Sequence, residues 1–166
     1  MLTNIAVPLL SEILLTMHTQ SRILALGCDH AGFELKEYLK NELVALGFEI
    51  EDFGTNSIES VDYPDIIHPL ARAIDQGRQT TGIIICGSGI GVSMVANKYP
   101  NVRAALCCDV ERAQLAREHN NANILAMGAR FMPFEQALEM VKVFVETPFA
   151  GGRHATRVNK ISIDKL

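Results

Sequence analysis

The sequence predicts an α/β protein, a three-layer doubly wound sandwich in which helices cover both faces of a five-stranded parallel sheet. Short apolar segments alternate along the chain with longer segments of helical spacing, as in repeated strand-helix units. The uninterrupted run Ile83-Ile84-Ile85 suits a strand that is buried on both faces. Right-handed helical crossovers between such strands give a Rossmann-like or flavodoxin-like order.

The alternation places each element in turn, starting at residue 23. The predicted strands cover residues 23–28, 48–53, 82–86, 102–107 and 124–127. The predicted helices cover residues 34–46, 63–76, 91–98, 109–119 and 133–146, with a loop of residues 54–62 after the second strand. The last segment, residues 153–166, follows Gly151-Gly152 and is predicted to be a C-terminal helical arm hinged away from the core.

Composition indicates one globular domain, residues 21–166, without a linker. An apolar fraction of 48% is enough for a sizeable core. The net charge of −4 and the absence of a basic stripe argue against nucleic acid as a partner. The four cysteines form no C-x-x-C pair, which predicts reduced thiols and a cytoplasmic location.

Residues 1–20 are the exception to this regular pattern. Their apolar stretches are interrupted by Pro8 and Glu12, and no Lys or Arg precedes Arg22, so neither a secretory signal nor a membrane span is predicted. We interpret the segment as a poorly ordered N-terminal extension or as a start codon placed too early, with Met17 as the true start. A short amphipathic helix that packs on a neighbour is the alternative.

Cys86 is the first candidate site residue, because it ends an apolar strand and opens the loop Gly87-Ser88-Gly89-Ile90-Gly91. A strand-to-helix turn of this kind directs backbone N–H groups at a ligand beyond the carboxyl end of the strand. A thiol placed there can act as a thiolate. Val92 stands where a dinucleotide-binding fingerprint needs its last glycine, so that fingerprint is absent. A phosphate-binding P-loop would end in Gly-Lys-Ser/Thr, and this loop does not. A purely structural turn is the alternative.

The other strand ends and the arm add polar candidates, each with a structural alternative. Asp29 and His30 follow the first strand, where an Asp can simply cap the next helix. His119 ends a helix, where a His often stabilises the dipole. Arg153 and Arg157 share a helical face and suit a phosphate, or else form a solvated basic end.

The cysteines do not predict a metal site. One His among scattered thiols lacks zinc-ligand spacing, so no metal is expected. Cys107 and Cys108 are expected to be small core residues.

Six separated motifs together resemble the ribose-5-phosphate isomerase B family, a resemblance that covers residues 22–163. The motifs are Gly27-Cys28-Asp29-His30-Ala31-Gly32-Phe33, Asp62-Tyr63-Pro64, Cys86-Gly87-Ser88-Gly89-Ile90-Gly91, Ala96-Asn97-Lys98, Arg117-Glu118-His119-Asn120 and Gly151-Gly152-Arg153-His154-x-x-Arg157. The resemblance implies a cofactor-free isomerase that interconverts ribose 5-phosphate and ribulose 5-phosphate through a cis-enediolate. The wider family includes galactose-6-phosphate isomerase subunits, so a six-carbon sugar phosphate, allose or galactose 6-phosphate, is an alternative substrate.

The resemblance also assigns roles. Cys86 matches the catalytic thiol, and Val92 occupies the position where relatives lacking that thiol carry a catalytic Glu. Ser88 and the amides of Gly87, Gly89 and Gly91 would hold the enediolate oxygens. His119 would open the sugar ring with Asp29 near the ring oxygen, and Asn120 would orient hydroxyls. The phosphate-binding positions are His30, Arg130, Arg153 and Arg157.

The resemblance further implies a homodimer or tetramer in which each active site takes residues from two chains, with no metal or nucleotide. A flavodoxin-like nucleotide-binding or thiol redox module is the alternative from another class. That reading leaves the Arg153/Arg157 pair and His119 without a role. The sequence assigns no role to Arg103.

Overall fold

A computed structural model describes residues 23–162 and confirms the predicted α/β sandwich. The strands are β1 (Ile23–Cys28), β2 (Glu49–Asp52), β3 (Gly82–Cys86), β4 (Ala104–Leu106) and β5 (Ile124–Gly128). The helices are α1 (Phe33–Ala45), α2 (Tyr63–Asp75), α3 (Ile90–Ala96), α4 (Val110–Asn120), α5 (Phe134–Glu146) and α6 (Arg153–Val158). The proposed extension, residues 1–20, lies outside the described residues. No helix within residues 23–162 has the length and apolar character needed to cross a bilayer.

The five strands are all parallel and lie in the order β2-β1-β3-β5-β4. The flavodoxin order shares the first three positions, but here the last two are exchanged. Burial explains the exchange. All five residues of β5 are buried, which suits an interior position, whereas β4 has three residues and none of them is buried. The ends of β1, β3 and β5 therefore lie side by side at the centre of the carboxyl edge.

Side chains alternate across the sheet and form two separate cores. On one face, Leu26, Ile85 and Met127 pack with buried residues of α1, α4 and α5. On the other face, Ile84 and Cys86 pack with buried residues of α2 and α3. The side chain of Cys86 therefore belongs to the α2/α3 layer.

The C-terminal arm is shorter than predicted and lies against the domain. Helix α6 ends at Val158, followed by turns, and residues 163–166 lie outside the described part. Gly151 and Gly152 have φ angles of 65° and 52°, which non-glycine residues rarely adopt, and they turn the chain back. The Ala150 N–H donates to the Glu118 carbonyl, so the arm packs beside the end of α4 instead of extending from the core.

Candidate functional site

Cys86 lies at the carboxyl end of β3 with its sulfur directed into the glycine loop. The Gly89 N–H donates to the Cys86 Sγ at 3.1 Å. Cys86 is 5% exposed, so bulk water is largely excluded from the thiol. Ser88 is half-buried, and its Oγ accepts a hydrogen bond from the Ile90 N–H at the start of α3. The loop thus brings a nucleophilic atom, a hydroxyl and several amides together.

Close packing explains the glycines of this loop. Gly89 has φ of 76°, and a Cβ there would lie 2.5 Å from Leu106 Cδ1. At Gly87 a Cβ would lie 3.1 Å from the guanidinium carbon of Arg130, and at Gly91 one would lie 2.7 Å from the Tyr63 ring. Side chains at these positions would displace the groups that surround the thiol.

Asp29 caps the short 3-10 turn that follows β1. Its Oδ1 accepts the N–H groups of Ala31 at 3.0 Å and Gly32 at 3.1 Å, so the capping alternative raised by the sequence is realised. Asp29 is nevertheless at the carboxyl edge beside β3, since its own N–H donates to the Ile85 carbonyl. The other carboxylate oxygen, Oδ2, makes no hydrogen bond to residues 23–162. Every fully buried side-chain oxygen or nitrogen in that range has a partner, so Oδ2 is not fully buried and is open to a ligand.

His30 and Arg130 complete this first cluster. The Val61 N–H donates to His30 Nδ1 at 3.3 Å, so the neutral ring carries its proton on Nε2. Arg130 follows β5, and its N–H donates to the Gly87 carbonyl at 3.2 Å while its guanidinium lies over Gly87. Asp29, His30, the glycine loop and Arg130 therefore meet at one edge, which we call the thiol cluster.

A second group of predicted residues, the histidine cluster, lies at the end of α4 and on α6. The rings of His119 and His154 stack with their centroids 4.3 Å apart and their planes 6° apart. Burial lowers the pKa of His154, and the nearby charges of His119, Arg153 and Arg157 lower it further. Asn120 is exposed beside the stack. The histidine cluster thus presents imidazole and guanidinium groups together. None of these groups forms an ion pair with a carboxylate in the described part of the chain.

The two clusters lie at opposite edges of the same sheet. Cys86 pairs with Gly128 at the carboxyl edge, whereas His119 and Asn120 end a helix that has run back to where β5 begins at Ile124. The 11 residues of α4 extend about 16 Å along the helix axis. A single chain therefore does not bring His119 to Cys86.

The remaining thiols differ in exposure. Burial raises the pKa of Cys28 to about 12 and that of Cys107 to about 11, which keeps both protonated at neutral pH. The expectation of a buried Cys108 is wrong: its side chain is exposed, and Arg112 Nη1 lies 3.3 Å from its sulfur. Cys108 begins the turn into α4 at the carboxyl end of β4, where the chain leaves the core. Within residues 23–162, no three His, Cys, Asp or Glu side chains group as metal ligands.

Three contributors to the site were not predicted from the sequence. The Val61 amide that fixes His30 is a backbone group, so residue type carries no signal for it. The stacking of His154 on His119 joins residues 35 positions apart. The position of His154 between Arg153 and Arg157 along the chain gave no sign of this contact. Tyr63 against Gly91 lies within a quoted motif, Asp62-Tyr63-Pro64, but had no role.

Comparison with known proteins gives consistent matches over most of the chain. A family model described as Ribose/Galactose Isomerase matches residues 24–161. Ribose-5-phosphate isomerase B of Escherichia coli (strain K12) is 42% identical over 139 residues, 84% of this chain and 93% of that protein. A ribose 5-phosphate isomerase structure from Thermotoga maritima is 48% identical, with a TM-score of 0.82 over 84% of this chain and 97% of that one. The Mycoplasma genitalium ribose-5-phosphate isomerase B with bound ribulose-5-phosphate is 37% identical, with a TM-score of 0.80 over 84% and 93% of the two chains.

Proposed function

This chain belongs to the ribose/galactose isomerase family, and on that premise we propose that it interconverts D-ribose 5-phosphate and D-ribulose 5-phosphate. The observation that carries the proposal is the Cys86 thiol, held by the Gly89 amide inside a glycine loop at the carboxyl edge of the sheet. The alternative of a nucleotide-binding or redox module is not favoured, because the relatives that cover most of the chain are named as sugar-phosphate isomerases.

In the proposed reaction, the Cys86 thiolate removes the proton from carbon 2 of the open-chain aldose and returns it to carbon 1. The electron pair left on carbon 2 forms the carbon–carbon double bond of a cis-enediolate, and a proton moves between the two oxygens. The ketose forms with no net change in atoms or electrons, so no cofactor is needed. Ser88 and the loop amides stabilise the oxygen charge, and the positive end of the Gly89 N–H dipole also faces the sulfur.

We propose that each active site forms between two copies of this chain in a homodimer or tetramer. The separation of the two clusters supports this, because His119 can approach Cys86 only from another copy. The carboxyl edge also exposes apolar side chains that a second copy would cover. These are Ile58, Tyr63, Ile90, Met94 at 62% exposure, Leu106 and Phe131 at 77% exposure.

The composite site would divide the work between its two halves. One copy would supply Cys86, Ser88 and Asp29, and the other His119 to open the sugar ring as acid and base, with Asn120 orienting hydroxyls. His30 and Arg130 of the first copy and Arg153 and Arg157 of the second would bind the phosphate from two sides.

The experiment mixes the purified chain with ribose 5-phosphate in buffer without nucleotide, flavin or added metal, and follows ribulose 5-phosphate by a discontinuous colour assay. Steady formation is expected, and its loss in Cys86→Ala assigns it to the thiol. Allose 6-phosphate and galactose 6-phosphate serve as parallel substrates. Faster turnover of either would replace the five-carbon assignment, and no turnover of any would reject isomerase activity.

We also propose a cytoplasmic location, because all four cysteines are unpaired and a reducing compartment preserves them. Cell fractionation with an antibody to the chain tests this. Recovery with the membrane or extracellular fraction would contradict it.

A further inference from the structure

A polar cleft at the amino edge of the sheet is unused by the proposed reaction. It has a volume of about 590 Å³, and its walls include Thr81, Asn101, Arg103, Arg117 and Asn123. The Asn123 carbonyl accepts the N–H of Gly82, the first residue of β3. The cleft therefore lies at the opposite edge from the thiol cluster.

Two half-buried guanidinium groups face this cleft without a counter-ion. Neither Arg103 nor Arg117 forms an ion pair with any described residue. Burial lowers the pKa of both arginines, and the charge of Arg103 lowers that of Arg117 further, so the two positive charges are close enough to repel each other. Asp75 is the one acidic residue among the described lining, and its Oδ1 is engaged by the Asn101 amide at 2.9 Å. The cleft is left with an excess of positive charge.

Both guanidiniums are fixed by the backbone and retain free donors. Arg103 Nε donates to the Asn121 carbonyl at 2.8 Å and its Nη1 to the Asn101 carbonyl at 3.3 Å. Arg117 Nε donates to the Thr147 carbonyl at 3.3 Å, and its Nη1 binds Asn121 Oδ1 and the Ala122 carbonyl. Neither Nη2 hydrogen-bonds to a residue in the range 23–162. Preorganised arginines lose little side-chain freedom when they bind an anion.

We propose that this cleft binds the phosphate group of a small phosphorylated metabolite, at a site distinct from the catalytic one. A phosphate monoester carries close to two negative charges at neutral pH, which matches two guanidiniums, whereas a carboxylate would neutralise one. The hydroxyls of Thr80 and Thr81 also line the cleft and make no side-chain hydrogen bond in the described structure, so they are available as further donors.

The test is a titration of the ¹⁵N-labelled full chain with inorganic phosphate, followed by amide NMR at constant ionic strength against chloride. Saturable shifts of the Thr81, Asn101 and Asn123 amides are expected, separate from shifts at Gly89 in the thiol cluster. Arg103→Gln should raise the dissociation constant obtained from the cleft amides at least about tenfold, the scale of one lost charge-assisted contact. The dissociation constant obtained from the Gly89 amide should stay unchanged. Arg72→Gln, at an exposed arginine outside the cleft, is the matched control and should bind as the unmodified chain does.

Glycerol 3-phosphate in place of inorganic phosphate separates the two sources of the group. Tighter binding assigns the site to phosphate esters, and equal binding assigns it to the phosphate alone. The proposal is overturned if phosphate at tens of millimolar leaves the three cleft amides unshifted, if chloride shifts them equally, or if Arg103→Gln binds like the unmodified chain. If Arg103→Gln does not fold, the titration of the unmodified chain still decides. The histidine cluster lies at the same edge, but none of its residues lines the cleft. The readout is therefore the Arg103-dependent shift of the cleft amides, and it stands or falls independently of isomerase activity.

Discussion

The backbone N–H of Val61 donates a hydrogen bond to Nδ1 of His30 at 3.3 Å. This contact joins the loop before α2 to the turn after β1, two segments that are 31 residues apart. It fixes the ring and leaves Nε2–H as the donor available to a phosphate oxygen. The loop between β2 and α2 therefore sets which nitrogen of His30, a residue proposed to bind phosphate, can donate a hydrogen bond.

Val61→Pro removes that donor, while Val61→Ala keeps it and shortens the side chain. We expect Val61→Pro to raise KM for ribose 5-phosphate several-fold, since one hydrogen bond contributes about 1 kcal/mol, with little change in kcat. Val61→Ala should leave both constants near those of the unmodified enzyme. Steady-state kinetics of the three proteins measures this, and equal KM values for the Pro and Ala variants would contradict the role of the amide.

Cys86→Ala should lower kcat by roughly 10² to 10⁴, the range for a missing general base, with KM nearly unchanged. The reason is that in the proposed reaction the thiol acts on the reacting carbons, whereas the phosphate is assigned to other residues. Cys108→Ser is the control, because that thiol is exposed at the start of α4. A Cys86→Ala enzyme that retains full turnover would show that another group moves the proton.

Gly89→Ala should destabilise the protein more than Gly77→Ala does. Both glycines have positive φ, 76° and 71°, so both substitutions carry a backbone cost of about 1–2 kcal/mol. At Gly77 an added Cβ meets nothing within 4 Å, whereas at Gly89 it would lie 2.8 Å from the Met127 carbonyl carbon, which adds about 1–3 kcal/mol of overpacking. Urea denaturation at one protomer concentration compares the two, and equal losses would mean that the loop yields without strain.

The pattern of residues predicted the secondary structure well because strand and helix periodicities are local properties. The bounds of β1 and β3 agree with prediction to the residue. The exchange of β4 and β5 was not predicted, since it depends on which strand can be buried on both faces. The shortness of α6 was missed although Asn159, a residue type that often follows the end of a helix, stands directly after Val158.

For the site, the thiol cluster was predictable because its members sit at the ends of strands that become neighbours. The distance between the thiol cluster and the histidine cluster was not predictable, because it depends on the direction in which α4 runs over the sheet. The carboxyl-edge rule predicted Cys86, Asp29, His30 and Arg130 as site candidates at strand ends, but it carried no information on how far His119 lies from them.

The buried ammonium of Lys36 makes a further prediction about stability. Its side chain is fully buried, and Nζ lies 2.8 Å from Asp52 Oδ2 and 2.7 Å from Glu37 Oε1. Asp52→Asn would leave the half-exposed Glu37 as the remaining carboxylate partner of that ammonium, and should cost less than the ~3–5 kcal/mol of a buried charge left without any partner. Lys36→Met should cost less, because Asp52 keeps its contact with Lys40 at 2.8 Å and the new side chain is apolar. Chemical denaturation ranks the two, and the reverse order would contradict the argument.

The same pair predicts how stability depends on pH. Burial alone would raise the pKa of Asp52, but hydrogen bonds from Lys36, Lys40 and the Gly54 N–H outweigh it and lower the pKa. A lowered carboxyl pKa adds stability above the unfolded value near 4, and that stability is lost as the pH falls through the folded value. The unmodified protein should therefore lose stability in acid more steeply than Asp52→Asn. Parallel slopes between pH 5 and pH 3 would show that Asp52 is not the group responsible.

The separation of the thiol and histidine clusters makes the last prediction, a recovery of activity, assayed at ribose 5-phosphate concentrations well below the KM of Arg157→Ala, by mixing two impaired chains. Cys86→Ala lacks the proton-transfer group, and Arg157→Ala lacks a phosphate contact contributed from the other edge. In a heterodimer of the two, one of the two sites takes its thiol from the Arg157→Ala chain and its arginine from the Cys86→Ala chain, so that site is intact. A mixture refolded at equal concentrations should form half heterodimer and recover about a quarter of the unmodified activity per chain, provided that subunits pair at random.

Mass spectrometry of differently tagged chains establishes that heterodimers are present. If they are present and the mixture has no more activity than the average of its two components, each site is built within one chain, and the proposed composite site is wrong while the isomerase assignment still stands.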